Sequence, residues 1–525
     1  MTAVTDAPPA PAMSHREVLR ALSGLLMVLF AAMVSSTVVS VALPQIVGSL
    51  QGTQSQYTWV VTATLLASTA STPVWGKLAD LFDKKRLLQV AIVIFAGASL
   101  ACGLVQNTEQ LIALRAVQGL GMGALQVLVQ VIIGAMVSPK ERGRYNGYLG
   151  GVMAVSTVGG PLLGGAVTDA DWLGWEWCFF LAVPICVIAF FMLSRTLHLA
   201  ETKRADVKVD YLGATLIAAG VSLLLLWVTF VGNDFDWISW QTAAMVAGSV
   251  VLLGAATVVE AKVREPVVPL HVIKRRDPAL ATVASLAVGM AMFGGSVFLG
   301  QYFQVSRGFS PTEAGLLTIP MMFGVLIASA VAGKLVSQTG RVKPYIIAGT
   351  LVLTGGFAML ATIDHETSLV FMGVGMFLVG IGVGMSMQNL VLVVQNSVPL
   401  RELGAASGAI TFFRSLGGTI GVSVLGAVLA NQVADKIASG LAALGIDAAA
   451  SVGSSSLDLE SMPAPVAEVV RASYGDATGH LFLISACIAV VGFVATLFLS
   501  PVELRETVDL PEQIALGEET ILGAK

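Results

Sequence analysis

"GKLADLFDKKR", Gly76 to Arg86, sets six charges, Lys77, Asp80, Asp83, Lys84, Lys85 and Arg86, between two long apolar runs. What such a knot does depends on the solvent around the runs. The 525 residues are 55% hydrophobic and only 12% charged, against roughly 25% charged in a soluble domain. Apolar runs of about 20 residues recur along the chain, enough for a helix to cross a ~30 Å hydrocarbon layer. Stretches such as "GLLMVLFAAMVSS" (24–36) and "GVSLLLLWVTFVG" (220–232) lack the alternation of a transmembrane strand, so the class is an all-α membrane protein with self-satisfied backbone.

Charges, Gly and Pro divide the runs into fourteen predicted spans: 19–43, 57–79, 87–105, 110–137, 145–168, 178–195, 211–231, 240–260, 279–304, 313–336, 343–363, 368–396, 404–430 and 480–500. Alternating the connections between two sides puts all but five of the 29 Lys and Arg on the side of both termini. Only Arg307, Lys436 and Arg471 fall opposite, while Arg115 and Arg414 lie within spans. Lys and Arg favour the cytoplasmic side, so both ends are expected there, in a multi-pass protein of the cytoplasmic membrane. The leader 1–18 reads as disordered, and the run after it is too long for a signal peptide. The tail 501–525 is expected in the cytoplasm.

Composition also excludes functions. The net charge of −4 and the lack of a basic tract give no footing for nucleic acid. Four cysteines without ligand-like clustering argue against a disulfide framework or a zinc site. There is no H-E-x-x-H, no G-x-S-x-G, and neither GKL tripeptide continues with Ser or Thr as a phosphate loop does. The chain therefore reads as neither enzyme nor ATP-driven pump, and no cofactor is expected beyond a proton gradient as energy source.

The opening motif has an echo. "GKLADLFDKKR" resembles "GKLVSQTGRVK" from Gly333 at an offset of 257; "GLGMGALQ" from Gly119 pairs with "GIGVGMSM" from Gly380 at 261; "VGGPLLGG" from Val158 pairs loosely with "LGGTIGVS" from Leu416 at 258. The offset makes residues 19–197 and 277–500 two six-helix halves and leaves 198–276 as a linker with two inserted central helices. Halves of this kind commonly hold a substrate site at their interface near the midplane. The connection 431–479, with Val433, Ile437, Leu441 and Leu444 spaced as on a short amphipathic helix, reads as a long external loop, either a cap over the outer face or a gate.

In this order the motifs resemble those of the major facilitator superfamily. "GKLADLFDKKR" is similar to its loop signature G-x-L-A-D-x-x-G-R-K, with Asp83 replacing the Gly; "LIALRAVQGLGMGA" (111–124) resembles its fourth-helix motif, and "GVMAVSTVGGPLLGG" (151–165) its fifth-helix antiporter motif. "STVVSVALP" and "WEWCFFLAVP" look like marks of the fourteen-span drug:proton antiporter branch. The resemblance covers nearly the whole chain. It implies a secondary transporter, most simply a proton-coupled exporter of small amphiphilic compounds acting by alternating access as a monomer in lipid. A non-transporting sensor or a facilitative permease of the same fold is the alternative.

Physical readings of the residues accompany this. Gly76 and Asp80 lie one helical turn apart, so a second helix can approach the glycine while its free amides bond the carboxylate. By resemblance that partner is the start of the thirteenth span, around Leu403 to Ser407, with Lys84, Lys85 and Arg86 bridging neighbouring loops as a conformational latch; a plain positive-inside loop is the alternative. Arg115, costing about 2.5–3.5 kcal/mol inside a membrane, either snorkels to the outer surface or, as the resemblance implies, serves proton coupling with Gln118. Gly151, Gly159, Gly160, Gly164 and Gly165 give the fifth span a smooth face, which Pro161 bends; the second half has Thr419 in place of that proline. Packing alone is the bland reading of that motif.

The pattern departs from the family at Ser35, where the first-helix motif usually carries a carboxylate. No Asp or Glu occupies the middle of any predicted span, so coupling carboxylates are sought near the ends: Asp169, Asp171, Glu176 and Glu313. The expected cavity is lined by neutral and aromatic groups, Ser35, Trp59, Gln126, Gln130, Gln301, Gln304, Gln388, Asn389, Phe412 and Phe413. Arg414 joins them, about 15 Å into its helix. Such a lining favours a neutral or anionic amphiphile over a dication.

Overall fold

The computed structural model describes residues 15–52, 54–168, 170, 172–199, 210–232, 235–263, 266–444, 463–501 and 503–508. The first half holds α1 (His15–Ser49), α2 (Gln54–Leu81), α3 (Lys84–Cys102), α4 (Thr108–Met136), α5 (Pro139–Thr168) and α6 (Ala182–Thr196, led in by the turn Trp177–Phe180). The inserted pair is α7 (Tyr211–Phe230) and α8 (Trp240–Glu260). The second half holds α9 (Arg276–Gln301, continued by a π-helical turn Tyr302–Ser306), α10 (Ile319–Thr339, preceded by the short helix Pro311–Leu317) and α11 (Lys343–Leu360). It closes with α12 (Leu369–Asn396), α13 (Leu403–Ala443) and α14 (Ala464–Leu497).

Local chemistry punctuates these helices. Asp83 caps α3 by accepting from the Arg86 amide at 2.7 Å, Asn107 caps α4 through the Gln110 amide at 2.9 Å, and Gly340 ends α10 at φ 67°, a left-handed position that suits glycine. Among the described residues 12 helices are long and apolar enough to cross a membrane. α2 and α5, of 28 and 30 residues, fall outside that set. The first is rich in Thr, Ser and Gln and the second in Gly, as suits helices packed against other helices rather than lipid.

Neighbour relations repeat between the halves. In the first, α1 packs on α5 and α6, α2 on α4, α3 on α4 and α6; in the second, α9 packs on α13 and α14, α10 on α12, α11 on α12 and α14. The halves meet along α2 with α13 and along α5 with α10. Each has its own apolar core. The inserted helices pack together and lean on α2 and α13 through Ile217, Val221, Leu225, Ala256, Phe412 and Leu416.

One boundary needs correction. The expected loop from Asn431 to Gly479 is largely helical: α13 runs unbroken to Ala443 and α14 begins at Ala464. Val433, Leu441, Val466 and Val470 are buried, and Lys436 pairs with Asp476 at 3.1 Å. An apolar stripe and an ion pair let the two extensions support each other where hydropathy no longer marks a span. Residues 445–462, leader residues 1–14, linker residues 200–209 and tail residues 509–525 lie outside the described residues.

Candidate functional site

Two helix junctions join the halves at the end rich in Lys and Arg, called here the basic end. At the first, Gly76 of α2 lies against the Gly404 carbonyl and the Gly408 Cα of α13, leaving no room for a side chain. That contact brings Asp80 to the start of α13. Its Oδ1 accepts from the Gly404 amide and its Oδ2 from the Ala405 amide, each at 2.7 Å. These N–H groups have no intrahelical acceptor because α13 begins at Leu403. A buried carboxylate on them satisfies both and meets the positive end of the helix dipole. The expected partner segment is the one found. Lys84 is buried, and Lys85 donates from Nζ to the Ser194 carbonyl at 2.7 Å, binding the start of α3 to the end of α6. Arg86 departs from the expectation: its side chain is exposed, and its part is the amide that Asp83 caps.

At the second junction Gly333 of α10 lies against the Gly143 carbonyl and the Gly147 amide of α5. A buried cation dominates there. Arg142 donates from Nε to the Val137 carbonyl at 3.0 Å, from Nη1 to Gln395 Oε1 at 3.2 Å, and from Nη2 to the Gly134 carbonyl. Gln395 continues the chain to Ser407 Oγ at 2.9 Å. Burial, with the charge of Arg505 beside it, pulls the Arg142 guanidinium down to about 9. Arg505 belongs to the segment 503–508, which contacts both halves. Its guanidinium donates to the Gln395 and Val398 carbonyls at 3.1 and 2.9 Å, its carbonyl accepts from the Lys140 amide at 3.1 Å, and Glu506 pairs with Lys140 at 2.7 Å. Sequence reasoning missed Arg142, Gln395 and Arg505. Only the place of Arg142 near a helix start marked it, and a basic loop residue ordinarily reads as solvated.

Between the halves a cleft of about 10 Å³, lined by Gln130, Arg142, Asn146, Gln388 and Gln395 among others, has room for about one water. Gln130 and Gln388 therefore meet as expected, and Thr411 Oγ1 donates to Gln130 Oε1 at 3.5 Å. Gln126, half-buried, is one turn from Gln130. The interface is thus closed toward the basic end. Beside the second junction a groove of about 970 Å³ opens among α1, α5 and α10, with Phe30, Gly151 and Leu326 on its walls and Arg144 and Lys334 at its rim.

Arg115 does not snorkel. It is buried, donates from Nη1 to Gln118 Oε1 at 2.6 Å and from Nε to the Val60 carbonyl at 3.4 Å. Gln118 Nε2 then donates to Ser99 at 2.7 Å and to Ser35 at 3.2 Å. Where the resemblance would set a carboxylate, Ser35 closes a network over α1, α3 and α4 that holds the Arg115 cation and no acid. Arg414 is also buried, with Gly289 of α9 against its backbone and stem. Its Nη1 is enclosed without a hydrogen-bond partner among the described residues, a costly state for a guanidinium.

Other expected site residues sit elsewhere. Trp59 packs at a tilt on Phe230 of α7, ring centroids 5.0 Å apart, and Phe412 joins the apolar cluster of the inserted helices with Phe413 packed against it. Those aromatic rings face the insertion rather than a shared cavity, because α13 is apolar all round and spacing alone does not set its outward face. Glu313 is exposed and closes a capping box with Ser310, accepting from its amide and hydroxyl at 2.9 Å each. Its carboxylate is committed to the short helix before α10. Gln301 and Gln304 are exposed at the end of α9, Gln304 bonding the Gly300 carbonyl of its own helix. Asn389 likewise bonds the Met385 carbonyl at 2.6 Å. Glu176 is half-buried beside Gly174. Asp169 and Asp171 lie outside the described residues.

In the glycine-rich fifth helix, Gly160 packs on Thr37 of α1, Gly151 faces Leu326 of α10, which a methyl group added at the glycine would meet at 3.1 Å, and Gly159 faces open space. Gly164 is buried. Pro161 and Gly165 lie within the same continuous helix.

The sequence profile of the Major Facilitator Superfamily matches residues 25–422. The chain is 32% identical over 508 residues to the "Multidrug transporter protein MdtP" of Bacillus subtilis, covering 92% of this chain and 93% of that protein. It is 30% identical over 516 residues to the "Efflux pump dotC" of Dothistroma septosporum, covering 97% and 88%. Among solved structures, the proton:xylose symporter XylE aligns with a TM-score of 0.61 at 14% identity over 93% of this chain and 97% of that one. The human organic anion transporter MFSD10 aligns at 0.58 and 13% identity over 92% and 100%. At such identities these two likenesses speak for the fold.

Proposed function

The chain belongs to the major facilitator superfamily, and from that premise we propose that it is a proton-coupled exporter of small amphiphilic compounds. It works by alternating access across the cytoplasmic membrane, with fourteen spans and both termini inside. Its curated relatives named as multidrug transporters and efflux pumps support export of drug-like compounds. The observation that carries the mechanism is the pair of 2.7 Å bonds from Asp80 of one half to the α13 amides of the other. They form when the basic end is closed and must break for it to open, which makes Gly76, Asp80 and Lys85 a latch on one arm of the cycle.

The buried Arg414, with an enclosed and unpartnered Nη1, supports a neutral or anionic amphiphile as cargo. A carbonyl, sulfonyl or carboxylate oxygen would relieve it. A membrane potential supplies about 2.3 kcal/mol per charge per 100 mV, enough for one coupled charge to sustain a gradient of tens of fold. A facilitative permease is the second reading, favoured by the absence of a carboxylate from the Ser35–Gln118–Arg115 network.

The test is uptake into everted vesicles, where an inward-acid gradient corresponds to export in the cell. Accumulation of an anionic amphiphilic dye that collapses with an uncoupler is the expected result, reduced by Arg414→Gln more for the anionic than for a neutral dye. Dye movement that only equalises concentrations, with or without the gradient, would establish the permease instead.

A further inference from the structure

The inserted helices carry polar chemistry that the latch and the Arg414 site leave unused. Asp210 caps α7, its Oδ1 accepting from the Gly213 amide at 2.8 Å. Glu260 ends α8, its Oε2 accepting from the Val268 amide at 3.0 Å. The other oxygen of each, Asp210 Oδ2 and Glu260 Oε1, is buried without a hydrogen-bond partner among the described residues, in residues 8% and 4% exposed. Both oxygens press on Gly213, where an added methyl group would collide with the two together. Two carboxyl groups from different helices thus turn their unsatisfied oxygens into one small space, which only a glycine leaves open.

Two carboxylates so placed repel each other and both lack solvent. One proton on the pair would leave it a single negative charge and relieve the repulsion of two carboxylates beside Gly213. Among the described residues, charged neighbours come from two elements. From α2 comes buried Lys77, within electrostatic reach of Glu260 and also of Asp80 and Glu402. From the turn before α13 comes Glu402, held by His271 of the segment after α8 at 2.9 Å. The α13 face against α7 is apolar, with Phe412 and Leu416. Lys77 follows Gly76 directly, so the pair and the latch share one cation.

We propose that Asp210 and Glu260 hold one proton between them and form a protonation site by which the inserted helices act on the Asp80 junction through Lys77. With the proton bound the pair carries one negative charge and leaves Lys77 to Asp80. Loss of that proton to water raises the pair to two charges and draws Lys77 toward α8, weakening the field that holds Asp80 on the α13 amides. The shared proton is argued from the two orphan oxygens beside Gly213; its use in coupled export rests on the exporter reading above.

The experiment treats the intact protein in lipid nanodiscs with dicyclohexylcarbodiimide, which modifies protonated carboxyls in apolar surroundings, and maps the adducts by peptide mass spectrometry. Glu260 is expected to be labelled at neutral pH and progressively spared as pH rises. Asp210→Asn should lower that labelling about tenfold, the factor of one pKa unit, because the new amide donates to the Glu260 carboxylate and keeps it charged. An unlabelled Glu260 at neutral pH, or equal labelling in Asp210→Asn, overturns the proposal; if the variant does not fold, the wild-type pH course alone decides. In everted vesicles Asp210→Asn, Glu260→Gln and the double variant should share one flattened pH profile of uptake. Unchanged profiles beside intact labelling would overturn the link to transport, whereas uptake in the wild type that ignores the pH gradient defeats the exporter reading and leaves the labelled pair standing.

Discussion

The two junctions at the basic end share a backbone plan and differ in charge. Gly76 against Gly404 and Gly408 has its counterpart in Gly333 against Gly143 and Gly147, yet only the first is fastened by a carboxylate. Asp80 has Ser337 at the equivalent place. The helix starts explain this. The Gly404 and Ala405 amides are free because α13 begins at Leu403, whereas α5 begins at Pro139 and has already engaged its amides by Gly143. An acid at Ser337 would find no donors on the backbone. The second junction is held instead by Arg142, which reaches the other half through the Gln395 side chain, and by Arg505 and Glu506. Glycine contacts therefore fix where the halves meet, and the register of the partner helix decides which charge can lock them.

The largest expected effect comes from removing the acid. A hydrogen bond to a charged group contributes about 1.5–3 kcal/mol, and Asp80→Asn removes the charge while turning an amide NH2 onto one of the α13 amides. The closed-to-open ratio at the basic end should fall by about one to two orders of magnitude, read from spin-label distances between the halves. A shift under twofold would mean that the glycine contacts alone hold this end shut. Next, Gly76→Ala and Gly333→Ala should cost about 1–3 kcal/mol each, since either methyl group meets a backbone carbonyl that cannot turn away. Similar losses of transport at both would uphold the shared plan, and a loss at one alone would break it.

Ser337→Asp sharpens the contrast further. It should leave the Asp80→Asn defect in spin-label distance essentially unrescued, because α5 offers no free amide there; full rescue would refute the account from helix starts. The smallest effect belongs to Lys140→Ala, which frees exposed Glu506. The Lys140 ammonium, by hydrogen bond and charge, holds that carboxyl below its usual range. The contribution is therefore present at neutral pH and is lost as pH falls below the ordinary glutamate range; salt should mask it. A change in thermal midpoint that survives high salt would show the tail contact to matter more than its exposure implies.

Much of this was legible in the sequence. The offset near 258 marked the halves, and the spacing of Gly76 and Asp80 pointed to a helix start that proved to be Gly404 and Ala405. Such features are written in periodicity and in residue types with narrow uses. What stayed hidden depends on facing. Phe412, Phe413 and Trp59 turn to the inserted helices because helices apolar all round do not declare an inner side. Arg142 and the partnership of Asp210 with Glu260 join residues far apart in the chain, and no local pattern brings them together. The extensions of α13 and α14 escaped because hydropathy ends where the membrane would, while helices need not.

The tail contacts have a bearing on how the molecule is made. Residues Glu503 to Glu506 tie Asn396, Gln395 and Gly340 to Lys140, and they leave the ribosome only after every helix of both bundles. A nascent chain that has released α13 can already make the Asp80 junction, while the second still lacks its Glu503 to Glu506 contacts, so the two junctions of the basic end are completed in order.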